Sequence, residues 1–265
     1  MKRLLFISSL LLTINGWAGI EPEIKELNYP PKSVLFVGNS YLYYNDSLHN
    51  HFKSMADERY PQFNGSSNVK SATIGGSRLK HHNVDRLTQP FAISSVKKFD
   101  LVILQGGSGE GLSDKDRRAF SRVARQHIET LRSKNIEAAL YMIHAYTELH
   151  ESYNSDLIRV IEKMYTASGN INQTLVIPVG LAFERAYNEK PEIKLHKVDG
   201  THPDLLGTYL AACTVFASVF GESPVGLNYN YNGLIKSEDR LFLQKIAEST
   251  VNDYYGNISQ SRGAE

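Results

Sequence analysis

Ser33-Val34-Leu35-Phe36-Val37-Gly38-Asn39-Ser40-Tyr41 is a short apolar run that breaks into glycine and small polar residues. Such a run reads as a buried strand ending in a tight turn. Asp100-Leu101-Val102-Ile103-Leu104, followed by Gln105-Gly106-Gly107-Ser108, has the same form, and Val69 to Ile74 alternates like a strand before Gly75-Gly76. Residues 136–143 and 174–179 give a fourth and a fifth strand. Helical patterns fall between and after them, at 47–60, 114–134, 156–168, from Pro203 to about Phe220, and at 237–254. In the second of these, Phe120, Val123, Ile128 and Leu131 lie near helical spacing. Pro203 suits a first helical turn and Gly221 a helix end.

Strands separated by helical crossovers pair in parallel, so the expected class is α/β, with helices on both faces of a mainly parallel five-stranded sheet. Right-handed crossovers put every strand-to-helix turn on one edge of that sheet. Ser40, Gly76 and Gln105 all fall on such turns, at the edge where open α/β sheets bind their ligands.

The 265 residues, 42% of them hydrophobic and only nine of them proline, suit one sizeable domain, expected at 19–265. Residues 1–18 read as a cleaved signal peptide: Lys2 and Arg3 precede an apolar run from Leu4 to Ile14, and small residues follow. The mature chain is therefore expected to be exported, in the periplasm or beyond. Loss of Lys2 and Arg3 takes the formal charge from +1 to about −1, a balance that argues against nucleic acid as a partner. No later segment has the length and apolarity of a membrane span. Cys213 is the only cysteine, which excludes an intramolecular disulfide and reads as a buried thiol. Oligomeric state is left open.

Near the end of the chain stands Asp199-Gly200-Thr201-His202-Pro203. An acid three residues before an imidazole can share its turn, accept from one ring nitrogen, and leave the other as a general base. Ser40 upstream supplies a nucleophile, in the order Ser, Asp, His. Each residue has a plainer reading: Ser40 as a turn or cap residue, Asp199 and His202 as a capping pair. Other groups are less pointed. His49, His51, His81, His82, and His196 taken with Asp199 and His202 match no trusted metal spacing, so neither a metal nor another cofactor is expected. Residues 113–118 read as an exposed helix start. Tyr41, Tyr43 and Tyr44 either line a cleft or pack beneath the turn.

Together, Gly38-Asn39-Ser40, Ile74-Gly75-Gly76-Ser77, Gln105-Gly106-Gly107-Ser108 and Asp199-Gly200-Thr201-His202-Pro203 resemble, in order, the conserved stretches of the SGNH (GDSL-like) hydrolases. The resemblance spans nearly the whole mature chain. It implies a three-layer α/β/α sandwich of flavodoxin-like type and a serine esterase mechanism. Ser40 then attacks an ester carbonyl, His202 takes the proton and Asp199 orients the ring. The backbone N–H groups of Ser40 and Gly76 form part of the oxyanion hole, with glycine at 76 needed for close backbone approach and Gly75 the alternative on the same ground. Asn39 stands where most members have Asp. In the third turn an ungapped reading puts Ser108 where the family has its oxyanion Asn. The Gln-Gly start is instead similar to some carbohydrate-esterase branches, so Gln105 is taken as the third donor and Ser108 as the alternative. The expected substrate is a small-molecule or carbohydrate ester carrying a small acyl group such as acetyl. The alternatives are a catalytically weak carbohydrate-binding or polymer-handling protein on the same fold, and metal-dependent hydrolysis through His196, Asp199 and His202.

Overall fold

A computed structural model describes residues 20–256, so the expected signal peptide at 1–18 lies outside the described residues. Five strands form one sheet: β1 (Val34–Gly38), β2 (Val69–Thr73), β3 (Leu101–Gln105), β4 (Glu137–Tyr141) and β5 (Leu175–Ile177), in the order β2-β1-β3-β4-β5. Every pairing is parallel, with Phe36 of β1 beside Ser71 of β2 and Ile103 of β3. β1 and β3 are buried along their whole length, which is why they are continuous apolar runs rather than alternating ones. The chain leaves β1 in one direction for β2 and returns past it to β3. The sheet's switch point therefore lies between the ends of β1 and β3, beside Ser40 and Gln105.

The helices are α1 (Ser40–Tyr43), α2 (Leu48–Arg59), α3 (Gly65–Asn68), α4 (Val84–Leu87), α5 (Asp114–Ser133), α6 (Leu157–Asn172), α7 (Val179–Glu189), α8 (Leu205–Phe220) and α9 (Ser237–Tyr255). α2, α8 and α9 pack together in one layer and α4, α5 and α6 in the other, while α7 touches α6, α8 and α9. This is the expected three-layer α/β/α sandwich. α5 starts where the Ser113 hydroxyl accepts the Asp116 N–H, with Asp114 and Asp116 in the first turn, where acids favour the helix dipole. Its buried stripe is Phe120, Ala124, Ile128 and Leu131, so Ala124 takes the place expected of Val123.

α8 is apolar on all sides because other helices surround it, and almost its whole length is buried. Its cap is Asp204, whose side chain accepts the Leu205 N–H, and it ends at Gly221. Pro203, expected in the first turn, instead forms an isolated antiparallel bridge with His196. The Asp199 to His202 stretch is thus a tight loop ahead of the helix. Cys213 lies buried within α8, and burial pushes its thiol pKa up. Among the described residues, no helix is long and apolar enough to cross a membrane.

Candidate active site

β1 ends at Gly38, and the chain turns sharply into α1 with Ser40 as its first residue. The Asn39 side chain caps α1 by accepting the Tyr41 N–H at 3.0 Å, while its amide donates to the Ser77 carbonyl at 2.9 Å. Asn39 thus binds the turn after β1 to the turn after β2. An aspartate at this position could cap but could not donate, so asparagine adds a link between the two turns.

The Asp199 to His202 loop is closed by three backbone bonds: Lys197 N–H to the His202 carbonyl (2.8 Å), Gly200 N–H to the Lys197 carbonyl (3.0 Å) and Thr147 N–H to the Gly200 carbonyl (2.9 Å). Gly200 has φ +70°, and a Cβ there would lie 2.8 Å from both the His150 nitrogen and Thr147 Oγ1, so conformation and space both demand glycine. Asp199 Oδ1 accepts from the N–H groups of Thr201 and His202, each at 2.9 Å, and its Oδ2 lies 2.7 Å from His202 Nδ1. Burial works against ionisation of this carboxyl, but those two N–H groups and the imidazole together outweigh it and bring the pKa down to about 2. An ionised carboxylate only accepts, so His202 Nδ1–H donates to it and Nε2 is left as an acceptor. Nε2 lies 2.9 Å from Ser40 Oγ, and Ser40 is only 7% exposed. The structure therefore joins Ser40, His202 and Asp199 into one hydrogen-bonded chain.

Gly76 sits in a turn closed by the Ser77 N–H on the Ile74 carbonyl, and Ile74 N–H donates to the Gly38 carbonyl. Its φ is +64°, and a Cβ would meet nothing within 4 Å. Backbone conformation, not close approach, therefore requires glycine here. Gln105 lies against the nucleophile turn. It is 1% exposed; its Oε1 accepts the Asn39 N–H at 2.8 Å, and its amide donates to the Gly106 carbonyl. Gln105 also fills the space a Cβ on Gly38 would need. It braces the nucleophile turn, with Oε1 taken up by the Asn39 N–H and one amide hydrogen directed at the Gly106 carbonyl. Ser108 is half-buried and its hydroxyl meets the Tyr41 phenol, whose oxygen lies 2.7 Å from Thr201 Oγ1.

The three tyrosines divide. Tyr41 is buried, Tyr44 packs against the His202 ring (centroids 4.6 Å apart), and the exposed Tyr43 stacks on Tyr44. One residue of the site carried no signal in the sequence. His144, just beyond β4 and 2% exposed, is stacked between Tyr41 (4.2 Å) and Phe183 (4.4 Å). Its Nε2–H donates to the Thr201 carbonyl at 2.9 Å. Its Nδ1 is buried and has no hydrogen-bond partner among the described residues, and burial holds the ring well below the usual histidine range.

The remaining histidines serve local structure. His196 donates to the Ala145 carbonyl and accepts from the Tyr187 hydroxyl, so neither nitrogen faces Asp199. His51 bridges the Asn45 carbonyl and the Tyr229 hydroxyl; His49, His81 and His82 meet Ser47, the Arg78 N–H and Ser77 respectively. Among the described residues no group of three His, Cys, Asp or Glu side chains could hold a metal ion.

No family model matches this sequence, and no curated protein matches it either. Solved structures do. A DUF4886 family protein from Bacteroides uniformis is similar with a TM-score of 0.63 at 17% identity, over 88% of this chain and 99% of that one. A protein from Slackia heliotrinireducens, named as a candidate SGNH hydrolase, gives 0.55 at 18% identity over 70% of this chain and 97% of its own. An acetyl xylan esterase gives 0.55 at 18% identity, over 71% of this chain and 99% of that one. At such identities the likeness is one of architecture, and this chain has the α/β/α fold of the SGNH (GDSL-like) hydrolases in a divergent form.

Proposed function

We propose that this protein is an exported serine hydrolase of carboxylic esters, removing small acyl groups such as acetyl from a carbohydrate or related substrate. The observation that carries the reading is the hydrogen-bonded line from Ser40 Oγ through His202 to Asp199, at 2.9 and 2.7 Å. Ser40 Oγ attacks the ester carbonyl as His202 Nε2 takes its proton, and Asp199 stabilises the imidazolium. Collapse of the tetrahedral intermediate expels the sugar alkoxide, which takes that proton from His202. Water then attacks the acyl-Ser40 carbonyl as it gives a proton to the same nitrogen; collapse of the second intermediate breaks the Ser40 ester bond, His202 returns the proton to Ser40 Oγ, and the acid leaves.

The oxyanion needs donors fixed before the reaction. The backbone N–H groups of Ser40 and Gly76 are two. Gln105 is 1% exposed with one amide hydrogen directed at the Gly106 carbonyl, so the half-buried Ser108 hydroxyl is taken as the third in this reading. Export rests on the leader at 1–18, and residues 19–265 are taken as one hydrolase domain. Acetyl as the acyl group draws on the acetyl xylan esterase that shares the fold.

The burial of Gln105 favours one competing reading, a catalytically weak carbohydrate-binding or polymer-handling protein on the same fold. A fluorophosphonate probe separates the two, because only an activated serine reacts quickly. Rapid labelling of the parent, absent in Ser40→Ala, together with p-nitrophenyl acetate turnover lost in the same variant, is expected. A Ser40→Ala protein that turns over as fast as the parent refutes the mechanism.

A further inference from the structure

A groove of about 730 Å³ opens on the same sheet edge as Ser40, beyond the Asp199 to His202 loop. Its walls are the segment after β4 (145–155), α7 after β5, and residues 191–197. The size falls within the range of small-ligand sites, roughly 300–1,000 Å³. The floor is apolar, with Ile158, Phe183 and Ile193 buried.

The groove adjoins the candidate active site physically. Lys197, on its wall, donates its N–H to the His202 carbonyl, and its ammonium lies 5.4 Å from the centre of the Tyr44 ring, which packs on the His202 ring. Thr147, also on the wall, holds the Gly200 carbonyl. A ligand in the groove would therefore lie against the loop that carries Asp199 and His202.

The lining points to a neutral, polyhydroxylated occupant. Glu148 and Glu184 match Lys194 and Lys197 in number, and Glu184 is paired with Arg159 and Lys197 with Asp204, so no net charge selects an ion. Asn154 and Asn188 add exposed amides, which can donate to and accept from hydroxyls. Tyr153 is 42% exposed and Leu149 70% exposed, and they offer flat and apolar surface to the C–H face of a sugar ring. A hydrocarbon chain would have to desolvate Glu148, Lys194 and the amides without pairing them, at a cost.

We infer that this groove binds the non-reacting sugar units of an acylated oligosaccharide and thereby presents the ester to Ser40. This rests on the esterase reading above. Remote binding of that kind raises turnover of the full substrate over that of a truncated one.

The test uses Tyr153→Ala and Asn188→Trp, both at exposed positions that leave the core untouched. The measurement is kcat/KM for acetylated xylotetraose, p-nitrophenyl acetate and p-nitrophenyl octanoate. The ratio of xylotetraose ester to p-nitrophenyl acetate is expected to fall at least about tenfold in each variant. An unchanged ratio overturns the inference, as does a loss confined to the octanoate, which would make the groove an acyl site. A parent inactive on p-nitrophenyl acetate refutes the esterase reading alone. The groove is then judged by calorimetric titration of Ser40→Ala with unacetylated xylotetraose: binding abolished by Asn188→Trp supports it, and no binding overturns it.

Discussion

His144 Nε2–H donates to the carbonyl of Thr201, the residue immediately before the candidate general base. The same ring is stacked on Tyr41, the residue immediately after the candidate nucleophile. One buried side chain therefore spans both halves of the site, and Tyr41 closes the circuit through its hydrogen bond to Thr201 Oγ1. These contacts make His144 a candidate positioning residue.

His144→Phe keeps an aromatic ring in the stack and removes the bond to Thr201. We expect kcat on p-nitrophenyl acetate to fall about ten- to a hundredfold with KM little changed, because small displacements of catalytic groups are costly. Circular dichroism should show an intact fold. A kcat equal to the parent's denies His144 this role.

Asp199→Asn leaves the shape of the loop but exchanges an acceptor-only group for one that can donate, so His202 can adopt the wrong tautomer. A loss of roughly 10³- to 10⁴-fold in kcat is expected, by analogy with other triads. Fluorophosphonate labelling should slow in parallel. Loss of fluorophosphonate labelling without loss of ester turnover contradicts the assignment.

Ser108 and Gln105 should separate cleanly. Ser108→Ala removes a proposed oxyanion donor and is expected to lower kcat by about 10²-fold without a change in melting temperature. Gln105→Leu leaves the Asn39 N–H without its buried acceptor, which costs about 1–3 kcal/mol of stability and lowers the melting temperature. If Gln105→Leu kept the parent's melting temperature while Ser108→Ala kept its turnover, both assignments would be reversed.

Stability should fall between pH 6.5 and 4. Burial lowers the pKa values of His82 and His196 to about 4 and holds that of His144 well below its ordinary value, whereas an unfolded histidine titrates near 6.5. Over that window these histidines bind more protons in the unfolded chain, so unfolding becomes easier as pH drops, and the contributions of His82 and His196 level off below about 4. Asp199 has the opposite shift: its contribution is present above the unfolded carboxyl value and is lost as pH falls through about 2, outside this window. Urea midpoints at pH 7 and pH 4.5 test this. Equal midpoints contradict it.

The sheet was legible because a strand buried on both faces has to be an uninterrupted apolar run, as in β1 and β3. α7 was not, since its Val179-Gly180-Leu181-Ala182 start follows β5 with only Pro178 between and reads as one apolar stretch. Ser40, Asp199 and His202 were legible because turn chemistry and a three-residue spacing are local. The role of Gln105 depends on the Asn39 N–H 66 residues away, and that of His144 on a carbonyl 57 residues away. Neither leaves a trace in its own neighbourhood of the sequence. The need for glycine at position 76 was legible too, although its cause is conformation rather than crowding.

The buried thiol of Cys213 supplies an internal clock. It is the chain's only cysteine, and it lies within the most enclosed helix of the fold. A thiol reagent can reach it only when α8 parts from its neighbours. The rate of modification in native buffer therefore reports opening of the core with no added label, and a cysteine introduced at the surface could be dyed selectively against that silent background.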